Sequence, residues 1–123
     1  MNLTQETDFT TLGWIKAELD ATLKQARQSL ESFAANPADV QAMRDCANGL
    51  HTTYGTLHMI ELYGAALAIE EMERVARGLV DGSIAPREDV YSVLMRGFLQ
   101  LPDYLERLQS GQQFGKIVVR IPD

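Results

Sequence analysis

Two residues in one short stretch set the chemistry open to this chain. In Gly49-Leu50-His51-Thr52-Thr53-Tyr54-Gly55-Thr56-Leu57-His58-Met59-Ile60-Glu61-Leu62, the imidazole of His51 stands one helical turn before Gly55. One ring nitrogen of a neutral imidazole becomes a better nucleophile when an acceptor holds the N–H of the other. Glu73 is the candidate acceptor. Leu62 to Gly64 reads as a break between two helices. Counting about 11 or 12 residues back from it gives His51, and the same count forward falls at Glu73 to Val75, so the two arms match in height at about 1.5 Å per residue. A histidine and a carboxylate facing each other across that groove suit an imidazole that accepts a phosphoryl group. The residues alone equally allow a boundary histidine, a packing glycine and a solvated glutamate.

The element that presents His51 is a helix. Val40, Met43, Ala47, Leu50, Tyr54 and Leu57 recur at spacings of 3 and 4, which is one helical face. His51 falls on its flank, and Gly55 shares the histidine's side. A mid-helix glycine costs about 1 kcal/mol against alanine, and close approach of another surface commonly offsets that.

Three further stripes complete the pattern. Leu12, Ile15, Leu19, Leu23, Ala26, Leu30 and Phe33 mark a first helix, with Thr10 or Thr11 as its cap and Trp14 placed to cover one end of the fold. Asn36-Pro37 then reads as an N-cap followed by proline at the first position of helix two, which runs to about Leu62. Ala65, Ile69, Met72, Ala76 and Leu79 form the third stripe, stopping near Asp81-Gly82. Val90, Leu94, Phe98, Leu101, Leu105 and Leu108 form the fourth, which Pro102 should kink or split. The expectation is an all-α, antiparallel four-helix bundle over residues 12–111. Residues 1–11 read as a flexible lead-in and 112–123 as a tail or linker, with Ile117-Val118-Val119 strand-like but solitary.

Composition narrows the function. The 123 residues carry a net charge of −6 without any basic cluster, which argues against nucleic-acid and anionic-membrane partners. No apolar run approaches the roughly 18 to 20 residues that span a bilayer. The N-terminus has no signal-peptide core. Cys46 is the single cysteine, so it packs as a small hydrophobe in a reducing compartment. The reading is a soluble, cytoplasmic domain. His58 lies two turns from His51, about 10.5 Å, too far for both rings to bind one metal directly. With no His-x-x-x-His pair, no metal site or cofactor is expected. No phosphate loop, Ser-His-Asp set or nucleotide motif occurs, so no turnover of its own is expected either.

His51-Thr52-Thr53-Tyr54-Gly55 resembles the His-x-x-Lys-Gly signature of histidine phosphotransfer (Hpt) domains. In the chemotaxis kinase CheA, whose first domain belongs to this family, a glutamate 22 residues after the histidine hydrogen-bonds it, and here that offset lands on Glu73. The CheA histidine 19 residues on is Glu70 here, which makes the pocket more acidic. From Leu12 to Gly111 the chain also resembles the N-terminal domain of the ChpA/PilL group, CheA-like hybrid kinases of type IV pilus chemosensory systems, to which the scaffold FimL is related. Gly55-Thr56-Leu57-His58-Met59-Ile60-Glu61-Leu62, Glu70-Glu71-Met72-Glu73 and Leu101-Pro102-Asp103-Tyr104-Leu105-Glu106-Arg107-Leu108 carry that likeness.

The resemblance implies that His51 accepts a phosphoryl group and exchanges it with receiver-domain aspartates. Glu73 would orient the imidazole, Gly55 would keep the approach open, and Tyr54 would line the site. Mg²⁺ would belong to the partner receiver or kinase domain. The implied partners are response-regulator receivers, a CheA-like kinase catalytic domain and pilus-system scaffolds. Two residues depart from the family pattern. Tyr54 replaces the lysine, removing something like one charge-assisted hydrogen bond to the phosphoryl group, about 1.5 to 3 kcal/mol. Glu61 replaces the glycine common ten residues after the histidine. The rival reading is therefore a degenerate Hpt-like scaffold that binds signalling proteins and carries no phosphate.

Overall fold

A computed structural model describes the backbone of residues 2–109 and the side chains of residues 13–107. Four helices make up its secondary structure, α1 (Asn2–Ala35), α2 (Val40–Met59), α3 (Tyr63–Asp81) and α4 (Glu88–Gln109). Each packs on its chain neighbours, and α4 closes the ring against α1, so the helices form an antiparallel four-helix bundle. The tail 112–123 and its apolar triplet lie outside the described residues.

The stripes read from the sequence supply most of the core, with Ile15, Val40, Tyr54 and Val90 half-buried at its margin and the side chains of Leu12 and Leu108 outside the described residues. Leu19, Leu23, Ala26, Leu30 and Phe33 of α1 are buried, as are Met43, Ala47, Leu50 and Leu57 of α2. All five α3 positions and Leu94, Phe98, Leu101 and Leu105 of α4 join them. Full burial of such a side chain contributes about 1.5–3 kcal/mol, which is what holds helices of ordinary propensity in register. Thr53 is the one buried polar residue among those described, and its hydroxyl donates to the Gly49 carbonyl at 2.9 Å. Trp14 departs from expectation. It is 77% exposed and covers nothing in the bundle.

Helix ends differ from the sequence reading in physically specific ways. α1 reaches back to Asn2 rather than starting near Leu12. α2 begins at Val40, three residues past Pro37, because two caps compete and Asp39 wins. The Asp39 carboxylate accepts from the Ala42 amide at 3.2 Å, while Asn36 closes a turn by accepting from the Ala38 amide. Pro102 does not split α4, which runs unbroken from Glu88 to Gln109. Gly82 ends α3 in the left-handed conformation, φ 86°.

The α2–α3 turn comes at Ile60 to Leu62, about two residues ahead of the expected break at Leu62 to Gly64. Glu61 donates its amide to the His58 carbonyl at 3.1 Å and Leu62 donates to the Leu57 carbonyl at 2.9 Å. That pair of bonds is a Schellman cap, which needs a left-handed residue, and Glu61 takes φ 67°. A side chain in this region costs about 1–2 kcal/mol, and glycine avoids the cost. Glu61→Gly is expected to stabilise the domain by about 1 kcal/mol, read as a rise of roughly 4–8 °C in thermal midpoint. An unchanged or lowered midpoint would mean that the turn relaxes without strain.

Candidate functional site

α2 and α3 bring His51 and Glu73 together across their groove. His51 Nδ1 lies 3.2 Å from the Glu73 carboxylate. The His51 side chain is 68% exposed and that of Glu73 only 16%, so the acid sits at the base of the groove and the ring stands out of it. With Nδ1 turned to Glu73, the far nitrogen, Nε2, faces solvent. A carboxylate accepts only, so this contact selects the tautomer with the proton on Nδ1 and leaves an Nε2 lone pair outward.

Glu73 is itself held. Arg77, one turn along α3, donates from Nε and Nη2 to Glu73 Oε2 at 3.3 and 3.1 Å. Its Nη1 donates to Asn48 Oδ1 at 3.2 Å, back on α2 and one turn before His51. His51, Glu73, Arg77 and Asn48 thus close a ring across two helices. Neither Arg77 nor Asn48 was read from the sequence as part of the site. The Glu-x-x-x-Arg spacing of residues 73 and 77 was the available signal, and on its own it marks only a common helical ion pair.

Gly55 is exposed, and a Cβ built there meets nothing within 4 Å. The close helix contact that a glycine permits occurs instead at Gly49, where a Cβ would come 3.1 Å from that of Ala26 on α1. Among the described residues no contact requires glycine at position 55. Gly55→Ala is therefore expected to raise stability by about 0.5–1 kcal/mol in denaturant unfolding. A loss of stability would reveal a packing role that the bundle does not show.

His51, Gly55 and Met59 form one exposed line along α2, and Met59 is 77% exposed. Tyr63 and Leu67 at the start of α3 are 52% and 61% exposed, extending an apolar patch at the hairpin end. Leu62 is half-buried against the core, so it belongs to the bundle more than to that surface. Tyr54 is half-buried too, with its ring 5.7 Å from that of His58, and His58 stacks edge-on to Tyr63 at 5.1 Å. His58 therefore sits among aromatic rings, and no carboxylate among the described residues pairs with it. Burial pushes the Cys46 thiol up to about 12, which makes it inert. Among the described residues no cluster of three or more His, Cys, Asp or Glu side chains could hold a metal. No described helix is long and apolar enough to cross a membrane.

A helical bundle with an outward imidazole on α2, backed by an acid from α3, is the arrangement of a phosphotransfer domain, and residues 11–111 match the Hpt domain family. The chain belongs to that family. It is similar to Scaffold protein FimL of Pseudomonas aeruginosa, 32% identical over 107 residues that cover 87% of this chain. The matched region is 19% of that relative's length, so the likeness concerns one segment of a much larger protein. No solved structure matches the chain significantly.

Proposed function

We propose that this domain carries a phosphoryl group on His51. The single observation behind this is the pairing of an exposed imidazole, through Nδ1, with a shielded carboxylate at 3.2 Å. In the step, the Nε2 lone pair attacks phosphorus in a receiver's aspartyl phosphate, an N–P bond forms, and the P–O bond to the aspartate breaks. The aspartate leaves as a carboxylate. The proton stays on Nδ1, so the ring becomes a phosphorylated imidazolium whose positive charge Glu73 offsets. Return transfer reverses each bond change. The partner's Mg²⁺ and its own side chains stabilise the charge on the transferring phosphoryl group, and this chain has no turnover of its own.

Gly55 and Met59 flank the path to Nε2. A bare backbone patch followed by an exposed apolar side chain gives a receiver domain room to approach. The partners in this reading are response-regulator receivers and a CheA-like kinase catalytic domain. The setting is cytoplasmic, in a ChpA/PilL-type chemosensory pathway controlling type IV pili and twitching motility.

The test is incubation of the domain with a phosphorylated receiver. Label that is lost in acid and kept in base marks a phosphoramidate and supports the proposal. No label with any receiver of the pathway overturns it. A second reading, a scaffold that binds signalling proteins without carrying phosphate, draws on Tyr54 in the lysine's place and on the similarity to a scaffold protein. Receiver binding unchanged in a domain that never takes label would favour the scaffold.

A further inference from the structure

The family lysine is absent at position 54, so the charge balance of the site must be met elsewhere or go unmet. We infer that Arg77 is a positioning residue for His51. Acting through Glu73 from α3, it supplies the cation that α2 no longer carries. This inference rests on the phosphotransfer reading for its purpose but not for its geometry.

The ring of contacts carries the argument. Glu73 faces two donors, His51 on one side and the Arg77 fork on the other. A planar guanidinium that binds one carboxylate oxygen through two N–H groups holds that oxygen in place more firmly than a single flexible contact can. Asn48 then fixes the guanidinium through Nη1. Asn48 and His51 ride on the same helix, so the acid's position is referenced to the helix that bears the imidazole. Without Arg77, Glu73 has rotamers that leave Nδ1, and the imidazole regains its free choice of tautomer.

Charge points the same way. The Glu73 carboxylate and the Arg77 guanidinium cancel, so a dianionic phosphoryl group arrives beside a neutral pair and not beside a bare acid. The other α3 charges close by do not substitute. Arg74 is paired with Glu71 on the outer face, and Glu70 adds a further negative group. Arg77 is only half-sequestered, with 42% of its side chain exposed, so removing it leaves no buried hole. An ion pair at that exposure contributes little to folding, which separates a positioning effect from a structural one.

The experiment reads His51 directly, through imidazole ¹⁵N shifts in the unphosphorylated domain. Wild type is expected to show the Nδ1–H tautomer. Arg77→Met should relax it towards a mixture, Glu73→Gln should do the same, and the double variant should go no further. Arg77→Lys should restore most of the wild-type signature, because an ammonium still pairs with Glu73. In parallel, the half-life of the phosphorylated form should fall about tenfold in Arg77→Met, the size of one lost charge-assisted contact. Circular dichroism and thermal melts should be unchanged throughout. A His51 signature that ignores Arg77→Met overturns the inference, even if wild type is labelled normally. A wild-type domain that refuses label but whose tautomer still follows Arg77 overturns the phosphotransfer reading and leaves this one standing.

Discussion

His51→Gln is expected to abolish phosphoryl label outright while leaving the bundle intact. The amide nitrogen of glutamine has no available lone pair, so no N–P bond forms however close the donor comes. The fold has little stake in the exchange. His51 is mostly exposed, and Glu73 keeps its Arg77 fork when the imidazole is gone. Surface changes of this kind usually move stability by less than about 0.5 kcal/mol, so the melt should superimpose on wild type. His58→Gln is the matched control. Its ring lies between Tyr54 and Tyr63, with no acid among the described residues to set its tautomer, and its loss should leave label in place. Label that persists in His51→Gln, or disappears in His58→Gln, moves the acceptor elsewhere and ends the proposed assignment.

The pairing of His51 with Glu73 was legible because it depends only on helix rise and on the position of the hairpin. Moving the turn from Tyr63 to Glu61 shortens the α2 arm and lengthens the α3 arm by two residues each, so His51 and Glu73 stay within two residues, about 3 Å, of equal height in either case. Helix ends were less legible. Asn36 and Asp39 are both good caps, and the choice between them lies in a few hydrogen bonds that periodicity does not register. Glu61 was invisible as a left-handed residue because side chains usually avoid that conformation. The Schellman bonds there satisfy two carbonyls that would otherwise be orphaned. Arg77 and Asn48 were missed for a different reason. Their contact depends on how α2 and α3 are rotated about their axes, which spacing along one helix does not fix. The two roles proposed for glycine also parted company, since close packing belongs to Gly49 and exposure to Gly55.

Leu50→Ala separates what the core does from what the site does, and its effect on stability should be the largest of any substitution considered. Leu50 is adjacent to His51 in sequence but points about 100° away around the helix, into the core, with 0% exposure. It packs in the core cluster with residues of all four helices. Removing its three outer carbons forfeits transfer free energy and leaves a cavity that rigid helices cannot collapse, a loss of about 2–5 kcal/mol. A domain near the middle of the usual stability range, about 10 kcal/mol, stays mostly folded at 25 °C after that loss. The unfolding midpoint in urea should therefore fall steeply, while the urea dependence itself stays the same. Label per folded molecule should match wild type, because the His51–Glu73–Arg77 ring is built from groups at the rim of the α2–α3 groove and not from the core side chains. A shift of less than about 1 kcal/mol would show that the α2 stripe is not close-packed at its centre. A fully folded variant that loses label would show instead that the imidazole's reach depends on the seating of the helix beneath it, and the site could no longer be treated as a surface graft on an indifferent bundle.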